Sequence, residues 1–230
     1  TLINNSIREF YNENQLKLTN PGNLELKIKS KTTGNLDWFF NDFVKTRKNI
    51  DFKFNEVHKN GDSLTIQLRN KTGILVPIPV YGMQGDSIVS KTWVEGFKKE
   101  KEISISAENI DRVAINAEGF VPEYNRRNNY KKINPFLGIN KPFQFKLFQD
   151  IEDPSKNQVF FMPVAEYNFY DGLKLGAKMY NKTLLSKNFS YKIEPQYGFK
   201  SDKVTGSAGF TYTQNLEEGN LFAIRYGMSG

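Results

Sequence analysis

The residues of this sequence that could carry out chemistry are few and scattered. The chain has one histidine, His58, and no cysteine. These counts exclude disulfides, thiolate catalysis, iron–sulfur clusters and any metal site built from several histidines of this chain. His58 precedes an Asn60-Gly61 turn signal. We interpret it as an exposed turn histidine, because no partner acid or pocket for a general base can be argued from the pattern.

Acidic residues are the second possible source of chemistry. Asp150, Glu152 and Asp153 could bind calcium through their oxygen atoms. They lack the alternating ligand spacing and the glycine of a calcium loop, so a solvated turn before Pro154 is favoured. Two other acidic pairs do not have the arrangement that hydrolysis needs: Asp37 with Asp42, and Glu100 with Glu102. We therefore predict no catalytic residue, no metal ligand and no cofactor-binding residue on this chain.

The remaining candidates have simpler structural interpretations. Trp38 and Trp93 could stack on a ligand, but packing in a core or an interface is the commoner use of tryptophan. No helix is expected after the glycines of the C-terminal part, so they form no phosphate-binding loop: Gly172, Gly206 and Gly209.

The net charge of +7 does not indicate a nucleic-acid-binding protein. The excess is spread along the chain, whereas a phosphate-binding face is usually denser and more one-sided. No secretory signal and no run of about 18 apolar residues is visible. The pattern begins inside a helix, and we expect the chain to be a fragment of something longer. The two local basic clusters are Lys98, Lys99 and Lys101, and Arg126, Arg127, Lys131 and Lys132.

Residues 1–48 have a helical pattern. After the Pro21-Gly22 break, Asn23 is a suitable N-cap for a second helix. The clearest helix follows, because five apolar residues recur at helical spacing and form one stripe that must be buried against something. The stripe consists of Leu36, Phe39, Phe40, Phe43 and Val44.

Residues 49–125 alternate with a period of two. Short strand candidates at roughly ten-residue spacing predict a small antiparallel sandwich, immunoglobulin-like in size. Pro77 and Pro79 are expected to confine their strand to an edge or a bulge, because proline cannot donate to a strand ladder. Residues 126–157 are rich in asparagine, proline and glycine and are predicted to be a linker.

Residues 158–230 have the most specific pattern. Five consecutive strands of about eleven residues each place apolar side chains on one face and small or polar ones on the other. Eleven residues extend about 36 Å, or about 25 Å when tilted near 45°, which matches the apolar band of an outer-membrane barrel. The pattern predicts long antiparallel up-and-down strands of a partial β-barrel. A soluble meander or sandwich with one wet face is the alternative.

Several segments carry a family resemblance. The first is the motif Leu36-x-x-Phe39-Phe40 in residues 34–44. It resembles the end of the catalytic domain of gluzincin zinc aminopeptidases, the membrane alanyl aminopeptidase family. Residues 50–54, which follow, resemble the first strand of the sandwich in that family. Residues 113–117 and the Asn-x-x-Asn-Asn run at 125–129 resemble the closing strand and exit of that sandwich in a bacterial subgroup. Residues 151–154 and 167–176 resemble the start of the barrel-like extension that follows there.

The resemblance implies a parent protein whose zinc signature and catalytic tyrosine lie upstream of this chain. The chain would then be a non-catalytic C-terminal fragment of a zinc metallopeptidase-like protein. It would supply an accessory sandwich and an outer-membrane anchor, at the bacterial outer membrane or periplasm. Its direct partners would be the upstream catalytic domain and the lipid of the outer membrane. Peptide substrate would be bound only by the parent protein, and zinc would be a cofactor of the missing upstream domain. The alternative is a soluble all-β binding module for carbohydrate or a protein partner.

Overall fold

The computed structural model describes residues 2–148, 151–216 and 221–230. The protein is mainly β, with 47% strand and 15% helix, and it starts with helices. The predicted fold class, mainly β with an N-terminal helical segment, is confirmed. None of the sheets is closed into a barrel in the parts of the chain that are described. The chain divides into two compact units, Thr1–Phe136 and Leu137–Gly230.

The first unit opens with two α-helices and a short π-helix. They are α1 (Leu2–Glu13), α2 (Pro21–Ser30) and the π-helix Trp38–Val44. The prediction of Asn23 as N-cap was wrong by one turn, because Asn20 is the cap and its side chain accepts from the Asn23 N–H at 3.0 Å. Pro21 occupies the first turn, where its missing N–H costs no helical bond. In the predicted apolar stripe Phe40 is buried, while Phe43 and Val44 remain exposed.

Seven strands follow and form two antiparallel sheets. The strands are β1 (Phe52–Asn60), β2 (Ser63–Asn70), β3 (Ile78–Gln84), β4 (Ser87–Val94), β5 (Glu100–Ser106), β6 (Arg112–Ile115) and β7 (Tyr130–Lys132). The first sheet has the order β1-β2-β5 and the second has the order β4-β3-β6-β7. The inner faces of both sheets contribute to one apolar core. That core contains Phe52 of β1, Leu64 and Ile66 of β2, and Ile78 and Val80 of β3.

Pro79 lies in the central strand β3, so of the two predicted settings, an edge or a bulge, the edge was wrong. The strand does contain a register shift, between Gly82 and Met83. β3 pairs with β4 on one side and with β6 on the other. The ladder to β6 begins only at Val80, and Pro79 contributes a carbonyl that accepts from the Asn116 N–H at 2.8 Å. The missing N–H of Pro79 therefore removes no bond from this ladder.

The second unit is one six-stranded sheet. Its strands are β8 (Phe143–Leu147), β9 (Asn157–Asn168), β10 (Gly172–Tyr180), β11 (Phe189–Gly198), β12 (Lys203–Asn215) and β13 (Ala223–Ser229). They lie in the order β13-β12-β11-β10-β9-β8. β9 to β13 pair as consecutive antiparallel neighbours, as expected for residues 158–230. β8 pairs with β9 in parallel. β7 and β8 both lie in residues 126–157, the stretch predicted to be a linker.

The sheet accommodates a proline in the middle of β11. Pro195 lies between Gly176 of β10 and Gly206 of β12, and both glycines approach its neighbouring backbone closely. A Cβ at Gly176 would lie 2.2 Å from the Pro195 oxygen, and a Cβ at Gly206 would lie 2.2 Å from the Glu194 oxygen. Gly206 also has a φ of +146°, which side chains rarely adopt. The two glycines make room for a strand that proline prevents from pairing regularly.

Candidate functional site

One face of the six-stranded sheet is apolar from edge to edge. The register places Leu175 beside Ala165 and Tyr197, and Ile193 beside Met179 and Ala208, so alternate residues of neighbouring strands share this apolar face. Many of its large side chains are exposed to a third or more: Phe143, Phe145, Leu147, Tyr167, Leu173, Leu175, Phe189, Ile193, Tyr197, Val204, Phe210, Tyr212, Tyr226 and Met228. An exposed apolar surface of this continuity is unusual for a soluble monomer and is typical of an interaction surface.

Aromatic rings are concentrated towards the two ends of the apolar face. Phe189, Tyr212 and Tyr226 form a cross-strand row at one end, and Tyr197 and Phe199 lie at the other, with ring centroids 5.3 Å apart. Phe189 and Phe199 are about 33 Å apart along an extended strand, or about 23 Å for a strand tilted at 45°. Aromatic girdles flanking an apolar band of about 25 Å are the pattern of outer-membrane strands.

The opposite face carries charged residues in partly buried pairs. Lys174 contacts Glu166 at 2.9 Å, and the Lys174 side chain is only 15% exposed. Lys192 contacts Glu194 at 2.6 Å, and the Glu194 side chain is 12% exposed. One member of each pair is thus more enclosed than many of the apolar groups on the other face, while Glu166 and Lys192 are about half exposed. In a soluble sheet the hydrophobic effect buries the apolar face and leaves the charged face to water.

The first unit contains a buried carboxyl group that the sequence did not single out. Glu123 accepts hydrogen bonds from the side-chain amides of Asn116 at 3.0 Å and Asn129 at 2.7 Å, and from the Phe52 N–H at 3.1 Å. Burial raises the pKa of Glu123 to about 7, and the nearby Asp51 carboxylate adds to the rise. Asp51 itself is held by Lys71 at 2.7 Å. The Asn-x-x-Asn-Asn run supplies Asn129, but its spacing alone does not indicate a partner carboxylate.

A second local feature of the first unit is an exposed aromatic pair. The rings of Trp93 and Phe120 have centroids 6.2 Å apart, and each side chain is more than half exposed. The Lys91 ammonium lies 4.3 Å from the Phe120 centroid and 2.6 Å from Glu118. That ion pair, together with a hydrogen bond from Tyr81, lowers the pKa of Glu118. Trp38, by contrast, packs against the sandwich core.

The acidic candidates Asp37, Asp42 and Asp153 make contacts with different residues in the structure. Asp37 pairs with Lys29 at 2.8 Å and Asp42 pairs with Lys48 at 2.9 Å. Asp150 lies outside the described residues, and the Asp153 side chain accepts from its own turn at Ser155. Among the residues that the structure describes, no group of three or more histidine, cysteine, aspartate or glutamate side chains could hold a metal ion.

His58 and the remaining candidates also occupy separate places. The His58 ring contacts Glu56 at 2.9 Å on the exposed end of β1, and it lowers the pKa of the Glu56 carboxyl.

Arg126 donates to the Ala117 carbonyl and Lys131 to the Asn55 carbonyl, so these two basic residues make contacts within the fold. Glu100 and Glu102 belong to β5, and the three candidate glycines belong to strands: Gly172 begins β10, and Gly206 and Gly209 lie in β12.

No family model, no curated protein and no solved structure matches this chain. In the described parts of the chain, no helix has the length and apolar character needed to cross a membrane.

Proposed function

We propose that the chain is a non-catalytic part of a zinc metallopeptidase-like protein and that its six-stranded sheet anchors this protein in a bacterial outer membrane. The observation that carries the anchor is the contrast between the two faces of the sheet. The apolar face would contact lipid, and the face with the Lys174–Glu166 and Lys192–Glu194 pairs would face water or protein.

The metallopeptidase part of the proposal is supported by the sequence resemblance alone. In it, the helices and the sandwich contact an upstream catalytic domain that holds the zinc, and peptide is reached only through that domain. The isolated chain should therefore show no zinc-dependent peptide cleavage above background. Reproducible, chelator-sensitive cleavage by this chain would contradict the proposal.

Membrane insertion can be tested with a matched pair of substitutions. Ile193→Lys places a charge on the apolar face, and Ser207→Lys places the same charge on the polar face of the adjacent strand, opposite Glu194. A lysine facing the middle of a bilayer costs about 2–4 kcal/mol. We expect Ile193→Lys to reduce the fraction of the full chain that floats with phosphatidylcholine vesicles, while Ser207→Lys floats like the unchanged protein.

Two results would refute the anchor. One is a full chain that stays soluble and monomeric without detergent or lipid. The other is an equal effect of the two substitutions on flotation.

The second candidate function is a soluble all-β binding module for carbohydrate or a protein partner. The exposed Trp93–Phe120 pair favours it, because aromatic faces beside a charged pair can stack on a ligand and hydrogen-bond to it. This candidate predicts a soluble monomer in the same flotation experiment.

A further inference from the structure

The polar face of the sheet contains a pocket at the end of the strands nearest residues 181–188. Its volume is about 690 Å³, and β10 to β13 all contribute to its lining. The strand register explains the convergence: Tyr180 lies beside Lys192, and Lys192 lies beside Gly209. The same row continues to Ser229 of β13. The pocket is thus formed by four strands of the sheet together with residues 182–184, which follow β10.

The charged residues that line this pocket are all lysines. Lys178, Lys182 and Lys192 line it, and none of its lining residues is an aspartate or a glutamate. Two carboxylates outside the lining contact it: Glu194 is paired with Lys192, and Glu152 accepts from the Thr183 hydroxyl. Lys178 contacts the Tyr180 ring at 5.2 Å. Within the described ranges, neither Lys178 nor Lys182 forms an ion pair, so two positive charges are available to a ligand.

The rest of the lining offers space and hydrogen-bonding groups. Gly209 lies beside Lys192 and Gly227 lies beside Thr211, and neither has a side chain that would fill the space. Ser190, Thr211 and Ser229 add hydroxyl groups that can donate hydrogen bonds. Ammonium and hydroxyl donors around an open space are suited to the oxygen atoms of a phosphate.

We infer that this pocket binds a phosphate group, carried either by a water-soluble phosphorylated compound or by a phospholipid headgroup. The inference rests on the register and charge of the sheet and does not require the sheet to be embedded in a membrane.

The test uses the full chain in non-ionic detergent with two probes. Inorganic pyrophosphate is titrated by calorimetry at an ionic strength fixed with sodium chloride. In parallel, phosphatidylglycerol is added to the micelles and the lipid retained after gel filtration is counted. The pocket variant is Lys178→Gln with Lys182→Gln. The matched control is Lys146→Gln with Lys203→Gln, which removes the same charge from the polar face outside the pocket.

We expect saturable binding of at least one probe, weakened about tenfold or more in the pocket variant because charge-assisted hydrogen bonds are lost. The control should stay within about twofold of the unchanged protein, a difference well below one such bond. The probe that responds identifies the source of the phosphate. Absence of saturable binding, an unchanged pocket variant, or equal weakening in both variants would overturn the inference. If the chain does not float with vesicles but still binds pyrophosphate, the phosphate site is supported and only the membrane anchor is refuted.

Discussion

Replacing Glu123 with glutamine should change how the stability of the first unit depends on pH. The pKa of Glu123 is about 7 in the folded protein and about 4.5 in the unfolded chain. Well below pH 4.5 the carboxyl is protonated in both states, and its contribution to stability is fully present. Between pH 4.5 and 7 the unfolded chain ionises first, so stability falls as the pH rises. The full difference corresponds to about 3 kcal/mol of unfolding free energy.

Glu123→Gln removes this titration but disturbs the hydrogen bonds. One Glu123 oxygen accepts from both asparagine amides, and the other accepts from the Phe52 N–H. A glutamine has one oxygen and one NH₂ group, so a donor must face a donor at one of these contacts. That costs about 1–3 kcal/mol at every pH. We expect the variant to be less stable than the unchanged protein at pH 5, and this deficit to shrink or reverse by pH 8.

Urea unfolding followed by tryptophan fluorescence measures the unfolding free energy of the first unit, which contains Glu123. The two tryptophans, Trp38 and Trp93, both belong to Thr1–Phe136. Glu118→Gln is the control, because Lys91 lowers the pKa of Glu118 and it stays ionised from pH 5 to 8. Its stability should keep the pH slope of the unchanged protein. If Glu123→Gln keeps that slope as well, burial of Glu123 does not set the pH dependence.

Two further predictions concern single positions. Gly206→Ala should destabilise the six-stranded sheet by several kcal/mol, since its Cβ would lie 2.2 Å from a backbone oxygen. Gly209→Ala meets its nearest atom at 3.4 Å and should have little effect, and circular dichroism during thermal unfolding in detergent distinguishes the two. Asn70→Ala should cost about 2–4 kcal/mol, because its buried side chain donates to two backbone carbonyls and accepts from a backbone N–H. Asn55→Ala on the surface should cost under about 1 kcal/mol in the same urea unfolding measurement, and equal costs would argue against the Asn70 network.

Alternation of side chains was sufficient to predict much of the β structure. The apolar positions of β1, β2 and β9 to β12 follow a period of two, and each of these segments is a strand with its alternate residues on one face. Contacts between distant segments could not be predicted in the same way. The parallel pairing of β8 with β9 and the place of Pro79 in a central strand depend on which strands become neighbours, and local periodicity contains no information about that.

For the candidate sites, too, features of a single strand pattern could be predicted and contacts between distant segments could not. An excess of exposed apolar residues on one face could be predicted from the pattern of residues 158–230. The burial of Glu123 could not, because one of its three hydrogen-bond partners, Phe52, is 71 residues away in the sequence and only the fold places it there. The lysine pocket was also missed, since Lys178 of β10, Lys182 just after that strand and Lys192 of β11 come together only when β10 and β11 pair.

The short length of β8 has a consequence for self-association. β8 covers β9 only from Asn157 to Phe161, so the rest of β9 has no neighbour on that side among the described residues. Open strand edges are templates for intermolecular pairing and fibril growth. Pro163 lies two residues after the covered part and has no N–H to offer, and Glu166 adds a charge further along. Aggregates of this protein should therefore form through its apolar face rather than by adding strands to this edge.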